Sequence, residues 1–253
     1  MPTFALVLEY EGTRYSGSQI QSGLLTIQGE VESALGELTG EQIRIKAAGR
    51  TDSGVHARGQ VVAFQTSARL SCDAMCKGLN RHLPRDIAVK SACQVRDGFD
   101  PRREAVSREY RYVVLNSSTP SPLLRGFTYL VARPLQVEPM AEAAAALVGR
   151  HDFASFTVDL AGTGKSPERT VYRAGVISKG SLVLIEMEAD SFLPHQVRRT
   201  AGALLRVGMG RMEVAAFKQL LEQKQPNLAR PAAPARGLYL MKVNYGQDLA
   251  AMH

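Results

Sequence analysis

Through Val95 the chain alternates β-forming runs with helically spaced apolar residues, and this limits the possible folds more than any other feature. Thr3 to Tyr10 is rich in β-formers and reads as a strand, which Gly12 and Gly17 end in a loop. Thr26 is placed to cap a helix from Ile27 to about Leu38, because Ile27, Val31, Leu35 and Leu38 recur at helical spacing. Ile43 to Ala47 reads as a short basic strand, a glycine-rich turn follows, and Gln60 to Thr66 is the next strand. A helix starts at Asp73 and runs to about Asn80. The turn Leu83-Pro84-Arg85-Asp86 then leads into a strand from Ile87 to Val95. The predicted order is β-α-β-β-α-β, the ferredoxin-like plan.

The remainder repeats this style without repeating its letters, and no fixed period is visible. Asp97 to Ala105 is a polar connection and Ser107 to Asn116 a strand. A helix is expected from about Glu138 to Val148, an apolar element near Phe153 to Phe156, and a glycine and proline loop from Ala161 to Pro167. Strands at Thr170 to Ser178 and Leu182 to Ala189 precede helices at Gln196 to about Val207 and Val214 to about Gln223. A Pro/Ala-rich loop, Gln225 to Pro234, leads to a last strand, Leu238 to Tyr245. The expectation is an α+β protein of two ferredoxin- or RRM-like halves, residues 1–104 and 105–253, meeting at a basic cleft. With 253 residues, 45% of them hydrophobic, there is enough apolar material for a core in each.

Charge narrows the partners. The balance of 31 Lys+Arg against 24 Asp+Glu gives a net +7, which fits a polyanion, most simply nucleic acid, though basicity alone is weak support. Three cysteines, an odd count with no CxxC pair, argue against a disulfide framework and a zinc site. Cys72 and Cys76 would share a helix face and read as small apolar packing residues. The first residues do not read as a signal peptide and no apolar run reaches membrane length, so a reducing cytoplasm is the expected location.

Three stretches carry chemistry. Asp52 is the only acidic residue between Gln42 and Cys72, with Arg44, Lys46, Arg50, Arg58 and Arg69 around it in sequence. Neighbouring cations favour an ionised carboxylate, which is then available as a nucleophile or general base. Asp and Gly together are also ordinary hairpin chemistry, and local letters leave that reading level; Arg50, Asp52, His56 and Arg58 crowding one turn tilts towards a site. His56 by itself is more often a structural hydrogen-bonding residue. In Ser107 to Tyr112, a strand would put Arg108, Tyr110 and Tyr112 on one face, a stacking surface for an unpaired base. Tyr112 reads better as core, while Tyr110 stays open. From Phe192 to Met212 there is no acidic residue, while Arg198, Arg199, Arg206 and Arg211 are present. A solvated basic helix explains most such runs. Arg198, beside Phe192, Leu193 and Val197, reads as less solvated; a buried arginine needs a carboxylate, and Asp52 is the candidate.

These blocks resemble the TruA family of tRNA pseudouridine synthases. Gly49 through Val61 carries the most specific signature, supported by Leu83 to Ile87, Phe99 to Arg102, Tyr110 to Tyr112, Phe192 to Gly202 and Gly237 to Tyr245. The resemblance implies the pseudouridine synthase fold, with Asp52 as nucleophile, Tyr110 stacked on a flipped uracil and Arg198 paired with Asp52. It also implies that Arg50 and Arg58 hold backbone phosphates, or that Arg50 helps lever the base out, with His56, Arg199 and Arg206 in the RNA-binding set. The substrate would be the anticodon stem-loop of tRNA at positions 38, 39 or 40, bound across a homodimer, with no metal or other cofactor. The usual Tyr-Gly-Trp-Gln block appears as Tyr15-Ser16-Gly17-Ser18-Gln19, and Pro194, Gln196 and Arg199 replace residues commonly aromatic, Met and Asn. These departures bear on RNA contacts and site selectivity. Two other readings remain: a non-catalytic RNA-binding protein of RRM-like domains, which leaves the isolated Asp52 without a role, and a hydrolase with Asp52 as general base.

Overall fold

Local signals set the first elements. The computed structural model describes every residue except 159, 161–163, 165, 252 and 253. Strand β1, Thr3–Tyr10, is followed by helix α1, Ile27–Thr39. Thr26 stands in extended conformation and its side chain accepts from the Gly29 N–H at 3.2 Å, so the capping signal works as read. Strand β2 is only Lys46–Ala47, and β3 is His56–Gln65. Helix α2, Cys72–His82, is capped by Ser71, and β4 is Ile87–Val95. β1 lies antiparallel between β3 and β4, and β2 pairs antiparallel with β3. The order β4-β1-β3-β2 is the sheet expected of the ferredoxin-like plan.

Alternation along β1 divides its side chains between the faces. Leu6 and Leu8 are fully buried, as are Val31 and Leu35 of α1 and Met75 and Leu79 of α2. Ala5, Ala63 and Val95 pack with Phe99 in a smaller cluster that Tyr245 and Leu249 cover. Cys72, Cys76 and Cys93 are free thiols, half-buried rather than fully inside.

A second unit spans Ser107–Leu238. It comprises β5 (Ser107–Asn116), β6 (Tyr129–Val131), α3 (Val137–Ala145), β7 (Gly149–Asp152), β8 (Glu168–Lys179), β9 (Leu182–Ala189), α4 (Gln196–Gly208) and α5 (Val214–Gln223). Its antiparallel sheet runs β5-β9-β8-β7, with β6 parallel to β5. Phe153, Phe156 and Phe217 form a chain of tilted ring contacts in its core. Most of α4 is buried, unusually for so basic a helix. The loop predicted from Ala161 to Pro167 lies largely outside the described residues.

The last strand, β10 (Leu238–Asn244), corrects the simple division into halves. From Tyr239 onwards the chain belongs to the first unit, which is therefore Met1–Val106 plus Tyr239–His253. Tyr239 and Leu240 pair in parallel with His56 and Ala57 of β3. Long-range pairing overrides sequence order here. β3 also begins four residues earlier than the predicted Gln60. Gly59 does not end a turn but lies within the strand, where a Cβ would come within 2.6 Å of the Met241 carbonyl oxygen.

Candidate active site

In the first unit the segment between β2 and β3 presents Asp52. Its entry is tied down by the Ala48 N–H, which donates to Val61 O at 2.8 Å, and by Gln60 Nε2, which donates to Gly49 O at 2.8 Å. The turn closes through the Val55 N–H donating to Asp52 O at 3.1 Å, with Gly54 at φ +77°, a conformation glycine adopts without penalty. Thr51 Oγ1 and Tyr10 Oη lie 2.9 Å apart in a hydrogen bond, and Ser53 Oγ donates to Tyr15 O at 3.0 Å. Burial pushes the Tyr10 phenol up to about 12, with its hydrogen bonds to Thr51 and Gln60 offsetting part of the effect, so it stays a neutral anchor at physiological pH. Asp52 itself is half-buried, while Arg50 and Arg58 are exposed. One carboxylate on a braced turn is thereby bordered in sequence by two cations open to solvent.

His56 does not join them. It is 1% exposed, its Nδ1 accepts from the Gly12 N–H at 3.2 Å, and its ring stacks on Tyr239 with centroids 4.8 Å apart. That hydrogen bond puts the proton of the neutral ring on Nε2. A ring so enclosed is placed as the structural reading of this histidine expects.

In the second unit Tyr110 is half-buried on β5, edge-on to Phe192 with centroids 5.1 Å apart and planes at 83°. Its neighbour Arg108 donates from Nη1 to Asp190 O at 2.7 Å. Tyr112 is fully buried and its Oη donates to Pro234 O at 2.8 Å, as the packing reading expects. Arg198 sits in the first turn of α4 and its Nε donates to Ala233 O at 2.9 Å. The Ala233 N–H returns a bond to Arg198 O at 2.8 Å. The segment after α5 thus runs along α4 and seats the base of this guanidinium. Arg206 is half-buried and its Nη1 donates to Arg230 O at 3.3 Å.

Arg199 departs from expectation. It is 7% exposed, donating from Nη1 to Thr157 O at 3.0 Å and from Nη2 to Asn227 Oδ1 at 2.8 Å. Burial, helped by the nearby Arg230 charge, lowers its pKa below the ordinary arginine value. It braces two loops against α4 and offers nothing to a phosphate. We expect Arg199→Ala to cost about 1–3 kcal/mol, through the acceptors it strands. The salt dependence of polyanion binding should stay unchanged. By contrast, Arg58→Ala should reduce the log–log salt slope by about 1. Melting curves and binding titrations between low and moderate salt check both.

Tyr10 and Tyr239, which hold the Asp52 loop and the His56 ring, were missed by sequence reasoning. The isolated letters give no sign of them; only the strand pairings bring them in.

A family model described as tRNA pseudouridine synthase matches residues 6–102 and 143–246. A tRNA pseudouridine synthase A of Pelobacter propionicus is 42% identical over 245 residues, 97% of this chain and 100% of its own length. One from Roseiflexus castenholzii is 44% identical over 252 residues, 98% and 92% of the two chains. One from Neisseria gonorrhoeae is 42% identical over 247 residues, 96% and 91%.

Proposed function

The chain belongs to the tRNA pseudouridine synthase family and isomerises uridine in tRNA; from that premise we propose that Asp52 is its nucleophile and the anticodon stem-loop, at positions 38, 39 and 40, its target. The observation that carries the reading is the single half-buried carboxylate of Asp52 on a braced turn, with exposed Arg50 and Arg58 beside it in sequence. The target nucleotide leaves the stack, because its glycosidic bond is unreachable inside it. Asp52 forms a transient bond to the extruded nucleotide. The bond from ribose C1′ to uracil N1 breaks, the base turns, and C1′ joins C5. C5 loses its proton and N1 gains one, so the product has the mass of the substrate.

Tyr110 is assigned as the ring that stacks on the flipped uracil and shares in proton transfer at C5, where its edge contact with Phe192 fixes its plane. Arg198 is assigned as the charge partner of Asp52. Arg50 and Arg58 hold backbone phosphates on either side of the extruded nucleotide, and Arg206 is a weaker contributor. The same reading has two copies of the chain sharing one tRNA in the cytoplasm.

The test uses tRNA labelled with tritium at uracil C5. One tritium should be released for each pseudouridine formed, with the strand intact and no free base. Release of uracil or a cut strand would show a hydrolase instead, and RNA binding with no tritium release would show a binding protein.

A further inference from the structure

We propose that Ser18 is a positioning residue for Asp52, fastening the loop that carries the nucleophile to the first turn of α1; the proposal rests on Asp52 being that nucleophile. Ser18 is 7% exposed. Its N–H donates to Thr51 O at 3.0 Å, and the Thr51 N–H donates to Ser18 Oγ at 2.8 Å. One residue thus engages both backbone groups of Thr51, 33 positions away in sequence. Thr51 is joined to Asp52 by a single peptide bond, so the restraint passes straight to the backbone of the carboxylate residue.

Ser18 is itself anchored. Its carbonyl accepts from the Gln28 N–H at 3.0 Å, in the first turn of α1, and Gln28 Oε1 accepts from the Ile20 N–H at 3.1 Å. Gly17, at φ +100°, lets this segment approach Thr51 so closely that a Cβ would lie 3.0 Å from Thr51 O. The path from a rigid helix to Asp52 is Gln28, Ser18, Thr51. On the other flank Ser53 Oγ donates to Tyr15 O, so both neighbours of Asp52 are fixed to the segment between β1 and α1. A carboxylate held from both sides on regular structure keeps the narrow geometry that nucleophilic attack requires.

The hydroxyl is the part that matters. A side chain without an acceptor oxygen here could not accept from the Thr51 N–H.

Single-turnover rates at saturating tRNA, tRNA affinity and melting temperature, measured for Ser18→Ala, Ser18→Thr and Asp52→Asn, test the proposal. Ser18→Ala should slow the reaction tenfold to about a hundredfold with tRNA affinity within about twofold of the parent. Ser18→Thr, which keeps the acceptor oxygen, should recover most of the rate. Ser18→Ala reacting at the parental rate, or Ser18→Thr as slow as Ser18→Ala, overturns the proposal. Should Ser18→Ala melt below the assay temperature, Ser18→Cys, with a weaker acceptor, takes its place under the same criteria. Asp52→Asn at the parental rate would instead remove the nucleophile reading itself. An inactive Asp52→Asn beside an unimpaired Ser18→Ala sinks only the role of Ser18.

Discussion

Asp52→Asn should lower pseudouridine formation by at least about 10⁴-fold, the scale on which removal of a covalent nucleophile acts. The amide has nearly the shape of the carboxylate. The bonds that set the turn, from Val55 N–H to Asp52 O and from the side chains of Thr51 and Ser53, are not made by the Asp52 carboxylate. Binding should be kept or tightened, because one negative charge is removed from the neighbourhood of Arg50 and Arg58, where phosphates are to be held. Loss of catalysis with retained affinity separates a nucleophile from a merely structural acid. A single-turnover assay with a parallel binding titration reads both, and a variant that still turns over near the parental rate would end the assignment.

Gly202→Ala has the second largest expected effect, and two opposed magnitudes decide its sign. In mid-helix this exchange ordinarily stabilises by about 1 kcal/mol. On α4, however, a Cβ at position 202 would overlap the Pro231 carbonyl oxygen, with Ala233 N only 3.3 Å away. These are backbone atoms and cannot rotate aside, so the segment must lift from the helix. Overpacking of this kind costs about 1–3 kcal/mol. The paired bonds between Arg198 and Ala233 are then also at stake, each worth about 1 kcal/mol. The balance is a net loss of about 2 kcal/mol and a melting temperature lower by about 5 °C. The rate should fall further than stability alone explains, since Arg198 loses the acceptor that aims it. A rise in melting temperature would mean that the segment yields freely and that the seat of Arg198 is soft.

Elements with complete local signals were legible in the sequence. Thr3–Tyr10, Ile87–Val95, Ser107–Asn116 and Leu182–Ala189 stand where their β-formers place them, and Thr26 caps α1 as its hydroxyl allows. Strands β6 and β7 were not legible. They have three and four residues, and Gly149-Arg150-His151-Asp152 becomes a strand only because Val171 to Glu168 lies alongside to pair with it. The predicted helix ending at Val148 stops at Ala145, three residues short. In the site, Asp52 announces itself as one acid among cations, and Arg50 and Arg58 are exposed. Charge in sequence does not reveal burial. His56 is enclosed by Gly12 and Tyr239, and Arg199 by Thr157 and Asn227, partners at least 28 positions away.

The return of β10 to the first unit has a consequence for how the protein is made. The unit bearing Asp52 is interrupted after Val106 and resumes at Tyr239, so the intervening unit can finish folding on the ribosome while its host still lacks an edge. The ring that stacks on His56 and the backbone that fills the space beside Gly59 are supplied by Tyr239 and Met241, from beyond the intervening unit. A chain cut before β10 should therefore leave the Asp52 loop on a support that lacks Tyr239 and Met241, although every residue of the loop itself is present.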